Sequence, residues 1–305
     1  MRPGPRKLLL PIALFFLFAF AANAGAEIKP EFKLSAGYRS DELKWNIAGD
    51  SSGCCPNTLS ELQWTDIRSF NVKASMNADI GKRIYTKAYA DYGFIFAGDN
   101  QDSDYAGDDR TLEFSRSDNS ADSGDLYDLS AGIGYIIRPR RSNVALIPMV
   151  GYSYHKQDLT ITDGFQTWPP YGPFDGLDSS YDALWKGPWA GLDFKFLFDK
   201  WTISTAFEYH LADYYAEANW NLRDDFEHPK SFEHEADGDG FVASINADYK
   251  FNERTSAGFV VDYQDFHTEP GIDRTFFSDG TESETRLNEV VWYSYSFLLS
   301  LKYAF

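Results

Sequence analysis

Strict alternation of apolar and polar residues is the feature that most constrains this chain, because it recurs from Glu31 to Phe305. In the last segment every second residue from Val291 to Phe305 is apolar, and most residues between them are small or polar. A period of two places successive side chains on opposite faces of a β-strand. Similar segments begin at Trp201 and Phe241, and we find no helical-period stretch of useful length. The pattern therefore predicts an all-β fold.

The connections between these segments separate a membrane barrel from a soluble sandwich, which also alternates. Short turns are predicted at Gly81-Lys82, Pro139 to Ser142, Asp199-Lys200 and Asn252 to Arg254. Long polar segments are predicted as loops over 41–58, 98–124, 164–180, 214–238 and 268–288. Nine connections join ten strands, and short turns at one end with long loops at the other are typical of outer-membrane barrels. We predict a ten-stranded antiparallel transmembrane β-barrel with long extracellular loops and paired terminal strands.

The beginning of the chain has the pattern of a secretory signal peptide. Arg2, Arg6 and Lys7 precede an apolar stretch, and Ala22-Asn23-Ala24 fits a cleavage site. We therefore expect residues 1–24 to be a signal peptide and residues 25–305 to form the barrel, located in the bacterial outer membrane.

The side-chain composition and register add two expectations about the barrel wall. Aromatic residues make up 17% of the chain, which suits the aromatic girdles of such barrels. Trp201, Tyr249, Tyr303 and Phe305 adjoin short turns or the C-terminus and are predicted in the periplasmic girdle. The serines at 294, 296 and 300 are predicted to face the lumen.

The net charge of the chain and the motifs it contains limit the functions that it can have. A net charge of -18 disfavours nucleic acid as a partner and favours cationic peptides or proteins at the extracellular rim. Ten strands leave too narrow a lumen for a wide porin, so a narrow pore stays a minor alternative. The sequence contains no cofactor, phosphate-loop or zinc-site motif.

Cys54 and Cys55 are interpreted as two loop thiols without a structural role, with a vicinal disulfide or a contact to another chain as alternatives.

Several segments resemble the omptins, ten-stranded outer-membrane endopeptidases that bind lipopolysaccharide. The second strand of that family is similar to Leu59–Trp64, its sixth strand to Tyr181–Leu192, and its last strand to Leu301–Phe305. The resemblance implies the same barrel, with outer-membrane lipid and lipopolysaccharide as partners.

The sharpest match is Asp102-Ser103-Asp104-Tyr105, where omptins carry an Asp-x-Asp-aromatic motif. In the family this carboxylate pair faces an Asp–His pair across a groove. The resemblance implies that Asp102 and Asp104 polarise a water molecule while a histidine accepts its proton. Because many acids surround these two residues, a simple solvated charge run is the alternative interpretation.

The other half of that site departs from the family pattern. In register, Asn219-Trp220-Asn221 stands where omptins have Asp-x-His, and asparagine cannot act as a general base. A gapped alignment places His228 there, with Asp225 or Glu227 as its partner, and His234 is the second choice. We therefore prefer a non-proteolytic surface-binding or structural barrel. The alternative is an active endopeptidase that cleaves cationic peptides through Asp102, Asp104 and His228.

A lipid site is implied by the segment Tyr152-Ser153-Tyr154-His155-Lys156, which resembles the lipopolysaccharide-binding motif of the family. Tyr152 matches it directly and Lys156 conservatively. An ordinary girdle tyrosine beside a lysine that extends toward the headgroups is the alternative interpretation.

Overall fold

The computed structural model describes residues 27–139 and 142–305. The expected signal peptide, residues 1–24, lies outside this range. None of the described residues forms a helix that is long and apolar enough to cross a membrane. The strands are β1 (Ile28–Ile47), β2 (Ser60–Ile80), β3 (Ile84–Gly107), β4 (Thr111–Ser120), β5 (Gly124–Tyr135), β6 (Val144–Trp168), β7 (Gly172–Pro173), β8 (Asp178–Leu197), β9 (Trp201–Asn219), β10 (Phe232–Lys250), β11 (Thr255–Thr268), β12 (Gly271–Phe276) and β13 (Glu282–Ala304).

The strands form a closed antiparallel ring with ten positions. β4 and β5 both pair with β3 and β6, so together they fill one position, and β11 with β12 fills another between β10 and β13. The ring closes because β1 pairs with β13, from Glu31 opposite Ala304 to Ile47 opposite Leu287. The predicted ten-stranded barrel with paired terminal strands is confirmed.

An apolar band surrounds the outer wall, as a lipid-facing surface requires. It covers residues 32–38, 70–76, 88–96, 127–137, 148–154, 188–197, 201–211, 241–251, 257–263 and 293–305, whose exposed side chains are mainly large and apolar. Ser294, Ser296 and Ser300 alternate with these residues and are buried toward the lumen, as predicted.

The predicted periplasmic aromatics lie where the sequence places them. Trp201 begins β9 directly after a short turn and pairs with Tyr249, with 5.2 Å between ring centroids. Tyr303 pairs with Phe32 at the start of β1 and contacts Phe305 at 5.0 Å. All four therefore belong to the short-turn end of the barrel.

The long polar segments differ from expectation, because much of each is strand. β3 continues to Gly107 and returns as β4, although 98–124 was predicted as a loop. β1 and β9 also run past the predicted loop boundaries, to Ile47 and Asn219. Backbone pairing does not require apolar side chains, so the wall continues above the apolar band into the aqueous phase. The prediction is thus wrong about the extent of these loops.

The lumen is filled in two layers. Toward the long connections, which form what we call the mouth, an aromatic layer includes Trp64, Trp185 and Trp292, each with no exposed surface. Toward the short turns, buried charges form ion pairs such as Arg39 with Asp128 at 2.5 Å and Lys73 with Asp262 at 2.7 Å.

Candidate functional site at the barrel mouth

Asp102 and Asp104 lie on the extension of β3 above the apolar band and face the lumen. Asp102 is opposite Leu62 and Asp104 is opposite Ser60 on β2. Directly opposed residues point to the same side of a sheet, and Leu62 belongs to the buried layer inside the barrel. The two carboxylates therefore stand at the top of the lumen, directly above the aromatic layer.

The surroundings of this pair change how easily it ionises. Burial raises the pKa of Asp102 well above its usual range, and the neighbouring charge of Asp104 raises it further. Burial also raises the pKa of Asp104, while hydrogen bonds from Ser60 and Ser115 and the charge of Arg223 oppose the increase. Asp102 Oδ1 is buried and has no hydrogen-bond partner among the described residues.

Arg223 is the cation that acts on both carboxylates. It lies in the exposed connection 220–231, between β9 and β10. Its guanidinium donates two hydrogen bonds to Asp225, at 2.9 and 2.8 Å, and packs 4.0 Å from the centre of the Phe226 ring. The mouth therefore presents an acidic pair with a basic side chain of the same protein nearby.

His228 belongs to the same connection but has a different environment. Its exposed ring donates from Nδ1 to Asn219 Oδ1, at 2.7 Å. The neighbour of Asn219, Ala218, is buried inside the barrel, so Asn219 points to the outer side of the wall. Arg223 is therefore the cation whose charge acts on Asp102 and Asp104, whereas His228 lies beside Asn219. In the register of the sequence comparison, Asn219 takes the position of the aspartate in the Asp-x-His motif of omptins.

His234, the second choice from the sequence, is sealed inside the aromatic layer. Asp273 Oδ1 lies 3.1 Å from its Nε2, which fixes the proton there, so Nδ1 accepts from the Tyr181 hydroxyl at 2.9 Å. Tyr181 in turn contacts the Tyr214 hydroxyl at 2.5 Å. This buried chain of polar groups was not found from the sequence, because Asp273 lies on β12, far along the chain from His234. The Trp45 ring lies 4.9 Å from the His234 ring and helps to separate it from water.

The aromatic layer closes the lumen below Asp102. Trp185 and Trp292 stack with their ring centroids 6.3 Å apart, and Phe266 lies 5.1 Å from Trp292. Trp64 stacks on Tyr181 across the barrel at 5.1 Å. The cavity on the short-turn side of this layer, which reaches Asp128 and Gln264, is lined by none of these rings.

Tyr152 and Lys156 lie on the outer wall at the upper edge of the apolar band. Tyr152 is 41% exposed, which places its ring on the outer surface of the barrel. Lys156 contacts Asp158, and its Nζ lies 4.0 Å from Asp182. Burial, followed by the charge of Asp158, raises the pKa of Asp182 to about 6. Beside Lys156 is a groove of about 600 Å³, lined also by Tyr92, Tyr127 and Tyr154.

Cys54 and Cys55 form a disulfide, so their interpretation as two separate thiols is wrong. Their Cα atoms are 3.8 Å apart, closer than in most disulfides. The turn that contains them is held by Asp50, whose Oδ1 accepts from the backbone N–H of Ser52 at 2.8 Å and of Cys54 at 3.1 Å. Asp50 and the two sulfurs are close enough to ligate a metal, but sulfurs joined to each other offer no thiolate.

Comparison with solved structures supports the barrel. The crystal structure of the outer membrane protease OmpT from Escherichia coli matches with a TM-score of 0.74 and 15% sequence identity, over 91% of this chain and 97% of that one. OprG from Pseudomonas aeruginosa matches with a TM-score of 0.38 and 11% identity, over 90% and 95% of the two chains. At 15% identity the likeness to OmpT shows the fold alone. No curated protein matches the chain.

A family model gives the assignment. Residues 33–305 match the model described as "Pom: Protochlamydia outer membrane protein", which leaves only the beginning of the chain unmatched. The omptin-like barrel and its location in the bacterial outer membrane agree with this match. The chain belongs to the Protochlamydia outer membrane protein family.

Proposed function

We propose that this barrel binds cationic segments of peptides or proteins at its extracellular mouth and does not cleave them. The observation that carries the proposal is the position of Asp102 and Asp104, a lumen-facing carboxylate pair that is influenced by the charge of Arg223 and has no histidine nitrogen of the described residues within 4.0 Å.

The absence of cleavage follows from the chemistry of the pair. Removing a proton from water near neutral pH needs a base whose pKa is close to the working pH, which is the usual role of histidine. The His228 ring is hydrogen-bonded to the Asn219 side chain, and His234 is enclosed by aromatic rings. Arg223, which acts on the carboxylates, stays protonated and cannot accept a proton.

Binding of a cationic segment follows from the charge at the mouth. The chain has 46 acidic and 28 basic residues, and two acids meet at the top of the lumen. Arg223 lies in an exposed connection and is also paired with Asp225. A ligand arginine can therefore pair with Asp102 while Arg223 stays paired with Asp225, so that no buried charge is left unpaired.

A cleavage assay tests the first half of the proposal. The protein, refolded with lipopolysaccharide, is incubated with dibasic peptides beside Asp102→Ala and His228→Ala variants. We expect no cleavage by any of the three. Cleavage by the wild type that both substitutions abolish would establish the endopeptidase alternative and refute our reading of the mouth.

A binding assay tests the second half. We expect a fluorescent arginine-rich peptide to bind the wild type and to bind Asp102→Asn/Asp104→Asn about tenfold more weakly, equivalent to about 1.4 kcal/mol. Asp118→Asn is the matched control, because Asp118 lies exposed on β4 of the same hairpin and faces outward. Equal weakening by the control would show only general charge attraction and would count against a site at the pair.

We also propose that Tyr152 and Lys156 contact lipopolysaccharide on the outer wall. Support comes from the exposed Tyr152 ring and from the groove beside Lys156 at the edge of the apolar band. We expect Lys156→Ala to refold with a weaker dependence on lipopolysaccharide concentration than the wild type, while Lys44→Ala, an exposed lysine on β1, behaves as wild type. An unchanged dependence in Lys156→Ala would argue against this contact.

A further inference from the structure

The short-turn half of the lumen contains a cavity of about 310 Å³ that we call the vestibule. Lys29, Arg254 and Ala304, near the ends of strands at the short turns, line its opening, and Asp128 and Gln264 lie at its inner end. Its volume is at the lower end of the range of small-ligand pockets, about 300–1,000 Å³. The vestibule thus faces the periplasmic side and is separate from the mouth.

Basic residues are concentrated in this cavity. Nine lysines and arginines and eight acids line it, although acids far outnumber basic residues in the chain as a whole. The vestibule therefore departs from the acidic character of the rest of the protein.

Two of its lysines lie directly opposite each other. Lys33 on β1 pairs in register with Lys302 on β13, an arrangement that is destabilising when the charges are alike. Asp248 relieves part of this repulsion, because its two carboxylate oxygens lie 2.9 Å from Lys33 Nζ and 3.1 Å from Lys302 Nζ. Glu31, 3.8 Å from Lys302 Nζ, supplies a second carboxylate, so the charges of these two lysines are balanced within the cavity.

Lys195 adds a third cation without a carboxylate of its own. Its Nζ lies 3.9 Å from the centre of the Tyr85 ring, and among the described residues no carboxylate oxygen comes within 4.0 Å of it. Three acids act on it from further away, and each is already engaged by another cation. The pairs are Asp193 with Lys87 at 2.8 Å, Asp79 with Arg138 at 3.4 Å and Glu31 with Lys302 at 3.8 Å.

We propose that the vestibule binds a phosphate-type oxyanion, either inorganic phosphate or a phosphate monoester, with Lys195 as the principal contact. An unpaired ammonium inside a membrane barrel is costly, and an oxyanion with several acceptor oxygens offsets that cost.

Calorimetric titration of the refolded barrel in zwitterionic detergent tests this site, with inorganic phosphate and glycerol phosphate as separate ligands. We expect saturable binding of one or both, at least about tenfold weaker in Lys195→Met and retained in Lys195→Arg. The ligand that binds more tightly identifies the source of the phosphate group. Lys44→Met is the control that removes an exposed lysine of the outer wall.

Three results would overturn the proposal. They are the absence of saturable binding by the wild type, equal affinity in Lys195→Met, and equal weakening in Lys44→Met. A second experiment uses only the wild type, so its outcome does not depend on whether a variant folds. Phosphate should protect Lys195 from an amine-acylating reagent, read by mass spectrometry, and unchanged acylation would also contradict the site.

Discussion

Asp102 and Asp104 show how position changes an ordinary residue type. Two aspartates on alternate positions of a strand point to the same side, and that side here is the top of a lumen filled with aromatic rings. Burial and mutual repulsion therefore raise the pKa of Asp102, and burial raises that of Asp104. The same motif on the outer wall would have behaved as a solvated pair.

Binding of a cationic peptide should consequently depend on pH. A carboxyl group whose pKa is raised loses its charge at a higher pH than an ordinary aspartate, whose pKa is about 3.9. We expect the affinity for an arginine-rich peptide to fall as the pH is lowered from about 7.5 toward about 5, where exposed aspartates are still ionised. Fluorescence anisotropy across this range measures it.

The same variants distinguish titration of the buried carboxylate pair from general charge attraction between the peptide and the acidic protein. Asp102→Asn/Asp104→Asn should bind weakly and lose most of the pH dependence, whereas Asp118→Asn should keep the wild-type profile. A flat profile for the wild type in this range would contradict the assignment of binding to the buried pair.

At the scale of single elements, β5 and β6 show how glycine makes room inside the barrel. Gly132 and Gly151 lie directly opposite each other, and the indole of Trp189 on β8 covers both. A Cβ atom at Gly151 would lie 2.3 Å from the Trp189 ring and 2.4 Å from the backbone oxygen of Ala131. The indole is also held by its hydrogen bond to the Ser130 hydroxyl, at 3.1 Å, so it cannot move freely.

We therefore expect Gly151→Ala to lower the free energy of unfolding by roughly 1–3 kcal/mol, the usual cost of overpacking. Urea unfolding followed by tryptophan fluorescence measures the change. The control is Ala131→Val, since Ala131 faces outward and the two added carbon atoms there extend away from the lumen. Stability equal to wild type in Gly151→Ala would show that Trp189 relocates at little cost.

At the scale of the whole molecule, the barrel has an acidic mouth and a lysine-rich vestibule on opposite sides of an aromatic layer. The acidic mouth and the lysine-rich vestibule are separated by the layer that contains Trp64, Trp185 and Trp292. The two proposed binding sites therefore lie on opposite sides of this layer, which stands across the path that a narrow pore would need.

Planar bilayers that contain the refolded protein should accordingly show no steps of ionic current, unlike a general porin reconstituted in the same way. The reason is the contact of rings across the lumen, such as Trp64 with Tyr181 at 5.1 Å. Folding is verified by the heat-dependent electrophoretic mobility of the sample. Regular current steps from the folded protein would establish the narrow-pore alternative.

The sequence by itself determined the all-β fold, the ten strands and the lumen-facing register of β13. These properties follow from the two-residue period and from the spacing of turn residues, which are local signals. It also singled out Asp102 and Asp104, through their resemblance to the Asp-x-Asp-aromatic motif of omptins, but placed them in a loop and not on a strand.

Only the tertiary structure decided what surrounds those residues. The charge of Arg223, in the β9–β10 connection, acts on Asp102, His234 pairs with Asp273 on β12, and Lys33 lies opposite Lys302 from the other end of the chain. No local pattern encodes such contacts, because they arise when a closed ring brings distant strands to the same lumen. The cavities and the charge of each compartment therefore came from the closure of the barrel, whereas the strands came from the sequence pattern.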